Sequence, residues 1–167
     1  NKAKITIREL LLHQSGLPSG LVFYQDAIDK KSYKGSLFKG SKDALHTVQI
    51  GPKTFAQPGF RFKEGLTSAV GGGDYTLHVA DSLWLHKSFR DVMLKKIAGA
   101  PLKGKKYVYS CLNFILLQQL VEQLAGVPMD EFLTREFYRP MNLSRTAYLP
   151  LRYFRKENIV PSSVDRF

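Results

Sequence analysis

A tyrosine, a serine and a cysteine stand together at Tyr109-Ser110-Cys111, directly before an apolar segment from Leu112 to Leu124. A phenol has a pKa of about 10 in water, so Tyr109 can act as a base near neutral pH only where positive charge lowers that pKa. A thiol reacts readily only beside a positive charge or a base. No thiol-protease signature surrounds Cys111, which we therefore interpret as a buried, inert cysteine.

A second polar block, His13-Gln14-Ser15-Gly16-Leu17-Pro18, lies upstream. Ser15 lacks the Gly-x-Ser-x-Gly elbow of a nucleophile, and Pro18 stands where a Ser-x-x-Lys motif has its lysine. We interpret Ser15 as a residue that ends a helix and His13 as a structural residue. The histidines of the chain do not have the spacing of metal ligands, so we predict no metal and no cofactor.

The composition indicates a folded, basic protein. Of 167 residues, 44% are hydrophobic, which argues against disorder, and 25 basic against 14 acidic residues give a net charge of +11. The lysines are not set among aromatic residues in any nucleic-acid-binding pattern, so we expect no nucleic-acid partner. No apolar run reaches the roughly 18 residues that span a membrane. A single cysteine excludes an internal disulfide framework.

Helices are predicted at both motif blocks. Ile5 to His13 is typical of a short helix, in which Thr6 and Glu9 form a capping box. Leu112 to Leu124 carries an apolar stripe so broad that we expect a central, buried helix, ended by Gly126. Met129 to Phe137 indicates a further amphipathic helix.

The segment between the two blocks is less regular. Residues 19–75 are rich in glycine and lysine, and we expect loops, some short helix and at most one hairpin. From Leu77 helical spacing returns, with Val79 and Leu83 on one face and Phe89 to Ile97 on another. Because so long an irregular segment is unusual within a compact domain, we predict that residues 19–106 are an insertion.

The motif blocks resemble the penicillin-recognising serine hydrolase family, which includes class C β-lactamases, DD-peptidases and related esterases. Residues 5–17 are similar to the family pattern Ile-Thr-Ile-Arg-x-Leu-Leu-x-His-x-Ser-Gly-Leu. Residues 107–149 are similar to its Tyr-Ser-Asn, long apolar helix and Pro-Leu-Gly-Met order. Residues 159–167 are more weakly similar to its Ile-Ala-Pro-Thr-Glu segment.

This resemblance implies a role for two residues. Tyr109 takes the place of the family's catalytic tyrosine, which activates the nucleophilic serine and protonates the leaving group. Cys111 takes the place of the family's asparagine, which helps to hold the substrate, and a thiol is a weaker donor and acceptor than an amide. The family's Ser-x-x-Lys motif precedes the His13 block, and its Lys-Thr-Gly or His-x-Gly motif follows residue 167. We therefore expect a fragment that carries one of three catalytic motifs.

The family fold packs a helical region on an α/β domain with an antiparallel sheet. We therefore predict that residues 1–167 form a single, partial, mainly α domain. Its expected partners are the rest of the parent hydrolase, with its sheet domain, and a peptide, β-lactam or ester substrate. Members of this family act outside the cytoplasm, so the resemblance also implies a periplasmic or extracellular location.

The sequence is compatible with two functions. The first is part of a serine hydrolase that works through an acyl-enzyme, the isolated chain being inactive. The second is a non-catalytic binding module on the same fold, whose basic surface holds an anionic envelope polymer or a partner protein. The altered Cys111 position and the basic residues 19–106 motivate the second.

Overall fold

The computed structural model describes residues 2–80 and 82–160, which form two compact units. Of the described residues, the terminal unit combines 2–20 with 100–160, and the middle unit lies within Leu21–Gly99. The segment that resembles the family between residues 159 and 167 lies mostly outside the described residues. Among residues 2–80 and 82–160, no helix is both long and apolar enough to cross a membrane.

The terminal unit is built from three short or medium α-helices. They are α1 (Ile7–Leu11), α4 (Cys111–Ala125) and α5 (Met129–Leu133), the last continuing into a π-helical turn at Thr134–Tyr138. Single 3-10 turns lie at Lys2–Lys4, Pro150–Arg152 and Lys156–Asn158. Helix α4 packs against both α1 and α5.

Helix α1 begins where the sequence predicts it. The Thr6 hydroxyl accepts from the Glu9 amide at 3.2 Å, and the Glu9 carboxylate accepts from the Thr6 amide at 2.9 Å, which confirms the capping box. Lys105 also bonds Glu9, and this bond, together with the Thr6 amide, lowers the pKa of the Glu9 carboxyl. The helix is shorter than predicted, because His13 already has a positive φ of 54°.

Helix α4 ends at Gly126, as predicted. Gly126 has a φ of 69° and its amide bonds the carbonyl of Glu122, which is the usual left-handed end of a helix. The expectation that α4 is buried throughout was wrong. Within α4 only Leu112 and Asn113 are buried, and Leu124 is 77% exposed. The broad apolar stripe exceeds the surface that α1 and α5 can cover.

The middle unit contains two small antiparallel sheets and three helical segments. The first sheet has the order β1 (Phe38–Lys39), β3 (Thr54–Ala56), β2 (Val48–Gly51), and the second β4 (Thr67–Ser68), β6 (Leu83–Leu85), β5 (Leu77–Ala80). The helical segments are α2 (Tyr24–Ala27), a 3-10 turn at Lys30–Ser32 and α3 (Phe89–Gly99).

The prediction of a mainly α chain was wrong. The chain is 36% helical and 14% strand. Val79 and Leu83 stand four residues apart, which matches a helix, yet they belong to β5 and β6, and the chain takes a φ of 54° at Ser82 between them. Strands of two to four residues are too short to display a period of two, so helical spacing there was accidental. Helix α3 buries Phe89 and Ile97 of its predicted face, whereas Val92 of that face is exposed.

Gly71 allows the turn at residues 71–73 to pack closely against the second sheet. A Cβ added at Gly71 would lie 2.7 Å from the indole of Trp84 in β6. Because real Cβ atoms do not approach that closely, only glycine lets the 71–73 turn lie on the indole face. The Trp84 indole also stacks with the ring of His78, its register partner in β5, at a centroid distance of 4.4 Å.

Candidate functional site

The start of α4 meets the loop after α1 in a buried polar network within the terminal unit. Ser15, Ser110 and Asn113 are 3%, 0% and 0% exposed. The Ser15 hydroxyl accepts from the Leu17 amide at 3.2 Å and donates to the Asn113 side-chain oxygen at 2.6 Å. These bonds fix the orientation of the Asn113 amide, whose nitrogen must then point away from Ser15.

The nitrogen of that amide reaches His13. Asn113 Nδ2 lies 3.0 Å from His13 Nδ1, and the backbone amide of Ser110 donates to the same ring atom at 3.2 Å. A nitrogen that accepts from an N–H carries no proton of its own. The network therefore requires the neutral His13 tautomer with its proton on Nε2.

Backbone bonds close the same junction. Val108 donates to the His13 carbonyl at 3.0 Å, Cys111 donates to the Ser19 carbonyl at 3.1 Å, and the Ser110 hydroxyl donates to the Pro18 carbonyl at 2.7 Å. The buried side chains of Ser15, Ser110 and Asn113 are thus all hydrogen-bonded, which is the condition for a polar core to specify one geometry. The first turn of α4 and the three residues before it are held rigidly.

Tyr109 projects from this rigid base to the surface. Its side chain is 58% exposed, and its ring packs against His13 at a centroid distance of 4.6 Å. The His13 ring also contacts Phe114 at 5.4 Å and Tyr107 at 6.1 Å. An imidazole core therefore supports an exposed aromatic surface formed by Tyr107, Tyr109 and Phe114.

Cys111 lies beside Tyr109 and is exposed, so the prediction of a buried cysteine was wrong. As the first residue of α4 it points outward, while the next two residues, Leu112 and Asn113, take the buried face. The negative charge of the ionised thiol and a hydrogen bond to it raise the pKa of the Tyr109 phenol. This direction is opposite to the one that a phenolate base requires.

The sequence also contains a Ser-x-x-Lys pattern that was not predicted as a site, at Ser36-Leu37-Phe38-Lys39 after the His13 block. It is not helical, because Phe38 and Lys39 form β1. The Ser36 hydroxyl donates to the Phe38 carbonyl at 2.7 Å, and the Lys39 ammonium pairs with Asp43 at 2.7 Å. A helix would place residues three apart on one face, and this segment does not.

The two predicted site residues, Tyr109 and Cys111, lie side by side at the start of α4. The sequence did not identify Asn113, whose hydrogen bonds to Ser15 and His13 fix the start of this helix. Its position in an apolar helix was the available signal, since a buried amide in such a helix must find partners. Sequence reasoning interpreted His13 and Ser15 as structural but did not connect them with α4.

The chain belongs to the Beta-lactamase family, whose model matches residues 1–157. It is 30% identical over 125 residues to an N-acetylmuramyl-L-alanine amidase of Bacillus subtilis (strain 168), covering 73% of this chain and 25% of that protein. It is 29% identical over 85 residues to a putative D-alanyl-D-alanine carboxypeptidase of Escherichia coli (strain K12), covering 48% and 20%. The chain thus spans a quarter or less of these relatives. A comparison with solved structures finds no match.

Proposed function

We propose that this chain supplies the tyrosine side of the active site of a serine hydrolase that cleaves an amide, β-lactam or ester through an acyl-enzyme. The observation that carries the proposal is the buried network of His13, Ser110 and Asn113, which presents the Tyr109 phenol at the surface from a rigid base. Membership of the Beta-lactamase family supports the same class of chemistry.

In the proposed reaction the serine hydroxyl comes from the remainder of the protein. Its oxygen attacks the carbonyl carbon while its proton passes to the Tyr109 phenolate, and the phenol then protonates the leaving group as the acyl bond to serine forms. Water later hydrolyses that acyl bond. Because Cys111 raises the pKa of Tyr109, the remainder must also supply a cation that lowers this pKa in the working site.

The rest of the parent hydrolase, including its sheet domain, is the proposed partner of the terminal unit. Tyr107, Tyr109 and Phe114 all pack on the His13 ring and are each at least half exposed. Contiguous exposed aromatic groups of this kind mark interaction surfaces. We also propose that residues 19–106 are an insertion between the family motifs, which fits their separate compact folding over Leu21–Gly99.

The names of the relatives suggest the substrate. The names N-acetylmuramyl-L-alanine amidase and putative D-alanyl-D-alanine carboxypeptidase both describe cleavage of an amide bond next to alanine. We therefore propose an alanine-containing wall peptide as the substrate, and an extracytoplasmic location where such peptides occur. A β-lactam or a small ester presents the same carbonyl to the serine and is the natural alternative substrate class.

Kinetics of the whole protein test this proposal. Tyr109→Phe should lower kcat/KM for a D-alanyl peptide or nitrocefin by about 10²–10⁴-fold, the usual contribution of a general base. Tyr107→Phe is the matched control, because Tyr107 is equally aromatic and exposed yet only packs edge-on against His13. Equal activity of the two variants would remove Tyr109 from the mechanism.

A second function, a non-catalytic binding module, is favoured by Cys111 and by the charge of the chain. A thiol is a weaker donor and acceptor than the asparagine of the family motif, and the net charge of +11 favours anionic partners. A non-catalytic module should be retained on heparin or anionic-glycan resin at low salt and released at moderate salt. Failure to bind at low salt would count against this function.

A further inference from the structure

A pocket outside the tyrosine site lies along the continuous helical segment Met129–Tyr138 of the terminal unit. Its volume is about 290 Å³, near the lower end of the range of roughly 300–1,000 Å³ for small-ligand sites. Six side chains line it: Asp130, Glu131, Thr134, Arg135, Arg139 and Tyr153. Four of these six are charged, which is unusual for a pocket that only packs apolar groups.

The charges in the pocket are separated by sign. The acids Asp130 and Glu131 lie in the first turn of α5, while Arg135 is the second residue of the π-helical turn and Arg139 directly follows that turn. At 1.5 Å per residue, Asp130 and Arg139 lie roughly 13 Å apart along the segment. The pocket therefore presents an anionic end and a cationic end on one surface.

Most of this charge is not neutralised within the chain. Arg135 pairs with Glu136 at 2.6 Å. In the part of the chain that the structure describes, the side chains of Asp130, Glu131 and Arg139 form no ion pair. Opposite charges that face one cavity without pairing with each other suit a ligand that carries both charges at a matching separation.

The remaining two lining residues suit a peptide backbone. The half-buried Thr134 offers a hydroxyl midway between the acids and Arg139, and Tyr153, which is 67% exposed, provides an aromatic wall with a hydroxyl tip. An extended chain advances 3.3–3.6 Å per residue, so about four residues span roughly 13 Å.

We propose that this pocket binds the free ends of a short, extended peptide, with its ammonium at Asp130 and Glu131 and its carboxylate at Arg135 and Arg139. Guanidinium groups bind carboxylates with charge-assisted hydrogen bonds, often two at once. This inference goes beyond the proposed function, because the binding step needs neither Tyr109 nor a serine nucleophile. It identifies a second peptide contact on the same unit.

Titration of the ¹⁵N-labelled chain with tetra-alanine tests the proposal by amide NMR. We expect saturable shifts confined to residues 129–139 and to Tyr153, with N-acetyl-tetra-alanine and tetra-alanine amide each binding about threefold or more weakly, the scale of one exposed ion pair. Absence of saturable shifts, or equal binding of all three peptides, would overturn the proposal.

Two variants test which side chains bind the ammonium and the carboxylate of the peptide. Asp130→Asn should remove the preference for the free amine and keep that for the free acid, whereas Arg139→Gln should do the reverse. Arg145→Gln is the matched control, because Arg145 is an exposed arginine of the same unit outside the pocket. If Arg145→Gln weakens binding as much as Arg139→Gln does, the affinity is only general attraction to a basic protein, and the pocket is excluded.

Discussion

Each unit of the molecule contains a histidine within a hydrogen-bonded network, and the two networks have opposite polarity. In the terminal unit His13 Nδ1 accepts from the Ser110 amide and the Asn113 side chain. In the middle unit both nitrogens of His46 face acceptors, the Asp43 carboxylate and the Ser36 carbonyl, each at 2.8 Å. The first arrangement requires a ring nitrogen without a proton, and the second favours the fully protonated ring.

The surrounding groups reinforce this difference. The Ser36 carbonyl and then Asp43 raise the pKa of His46, while Lys39 and the His46 amide hold the pKa of Asp43 well below its usual range. Gln57 bonds the carbonyls of Ser36 and Lys34, which secures the acceptors around the ring. The comparison shows that one residue type specifies two geometries through the donors and acceptors that its neighbours supply. The terminal network orients a candidate site, and the middle one joins loops.

The largest expected effect concerns Asn113. Asn113→Ala should lower the free energy of unfolding by about 3 kcal/mol, because it removes the acceptor of the Ser15 hydroxyl proton and one of the two donors to His13 Nδ1, and it opens a cavity. Urea denaturation measures the loss. Gln123→Ala, at an exposed position of the same helix, is the control and should change stability by less than about 0.5 kcal/mol. Similar losses in both variants would contradict the role of the network.

A packing change in the middle unit should rank next. Gly71→Ala places a methyl group 2.7 Å from the Trp84 indole and should cost about 1–3 kcal/mol, the usual cost of overpacking. Since Trp84 is the only tryptophan of the chain, its fluorescence reports the displacement directly. Gly99→Ala, where nothing lies within 4 Å of the added atom, is the matched control. An unchanged emission spectrum in Gly71→Ala would show that the ring does not lie on this glycine.

The next smaller effect is a dependence of stability on pH, which comes from His46. The folded pKa of His46 lies above its unfolded value, so its contribution to stability is complete below the unfolded pKa of about 6.5 and disappears as the pH rises through the folded pKa. Asp43 acts in the opposite sense and loses its contribution only in acid, as the pH falls from about 3.9 toward its lowered folded pKa.

The free energy of unfolding of the middle unit should therefore be larger at pH 5.5 than at pH 8.5. His46→Gln should reduce this difference, which unfolding followed by Trp84 fluorescence measures. His78→Gln, which keeps the His46 network, should preserve the difference.

The smallest effect is a change in ionisation alone. Because the Cys111 thiol is the leading cause of the raised pKa of Tyr109, Cys111→Ala should bring this pKa back toward 10 with little change in stability. Ultraviolet titration of phenolate absorbance, with Tyr109→Phe subtracted, isolates this tyrosine from the other seven. An unchanged Tyr109 titration in Cys111→Ala would show that the pair does not interact.

The sequence predicted features that short-range chemistry determines. The capping box of Thr6 and Glu9 and the end of α4 at Gly126 were predicted from residues a few positions apart, and the family was predicted from the order of motif blocks along the chain. It did not predict the sheets of the middle unit, because strands of two to four residues have no readable period. Nor did it predict the Ser15–Asn113 bond, which joins residues 98 positions apart and depends on tertiary contact.

The most direct test of the proposed hydrolase is labelling of the whole protein with a fluorophosphonate and a fluorescent penicillin, followed by peptide mapping. We expect the label on a serine that precedes the His13 block, with labelling strongly slowed by Tyr109→Phe and unaffected by Tyr107→Phe. If neither probe labels a serine, or if the label falls on Ser15 or Ser36, the chain does not form the tyrosine side of an acyl-enzyme site.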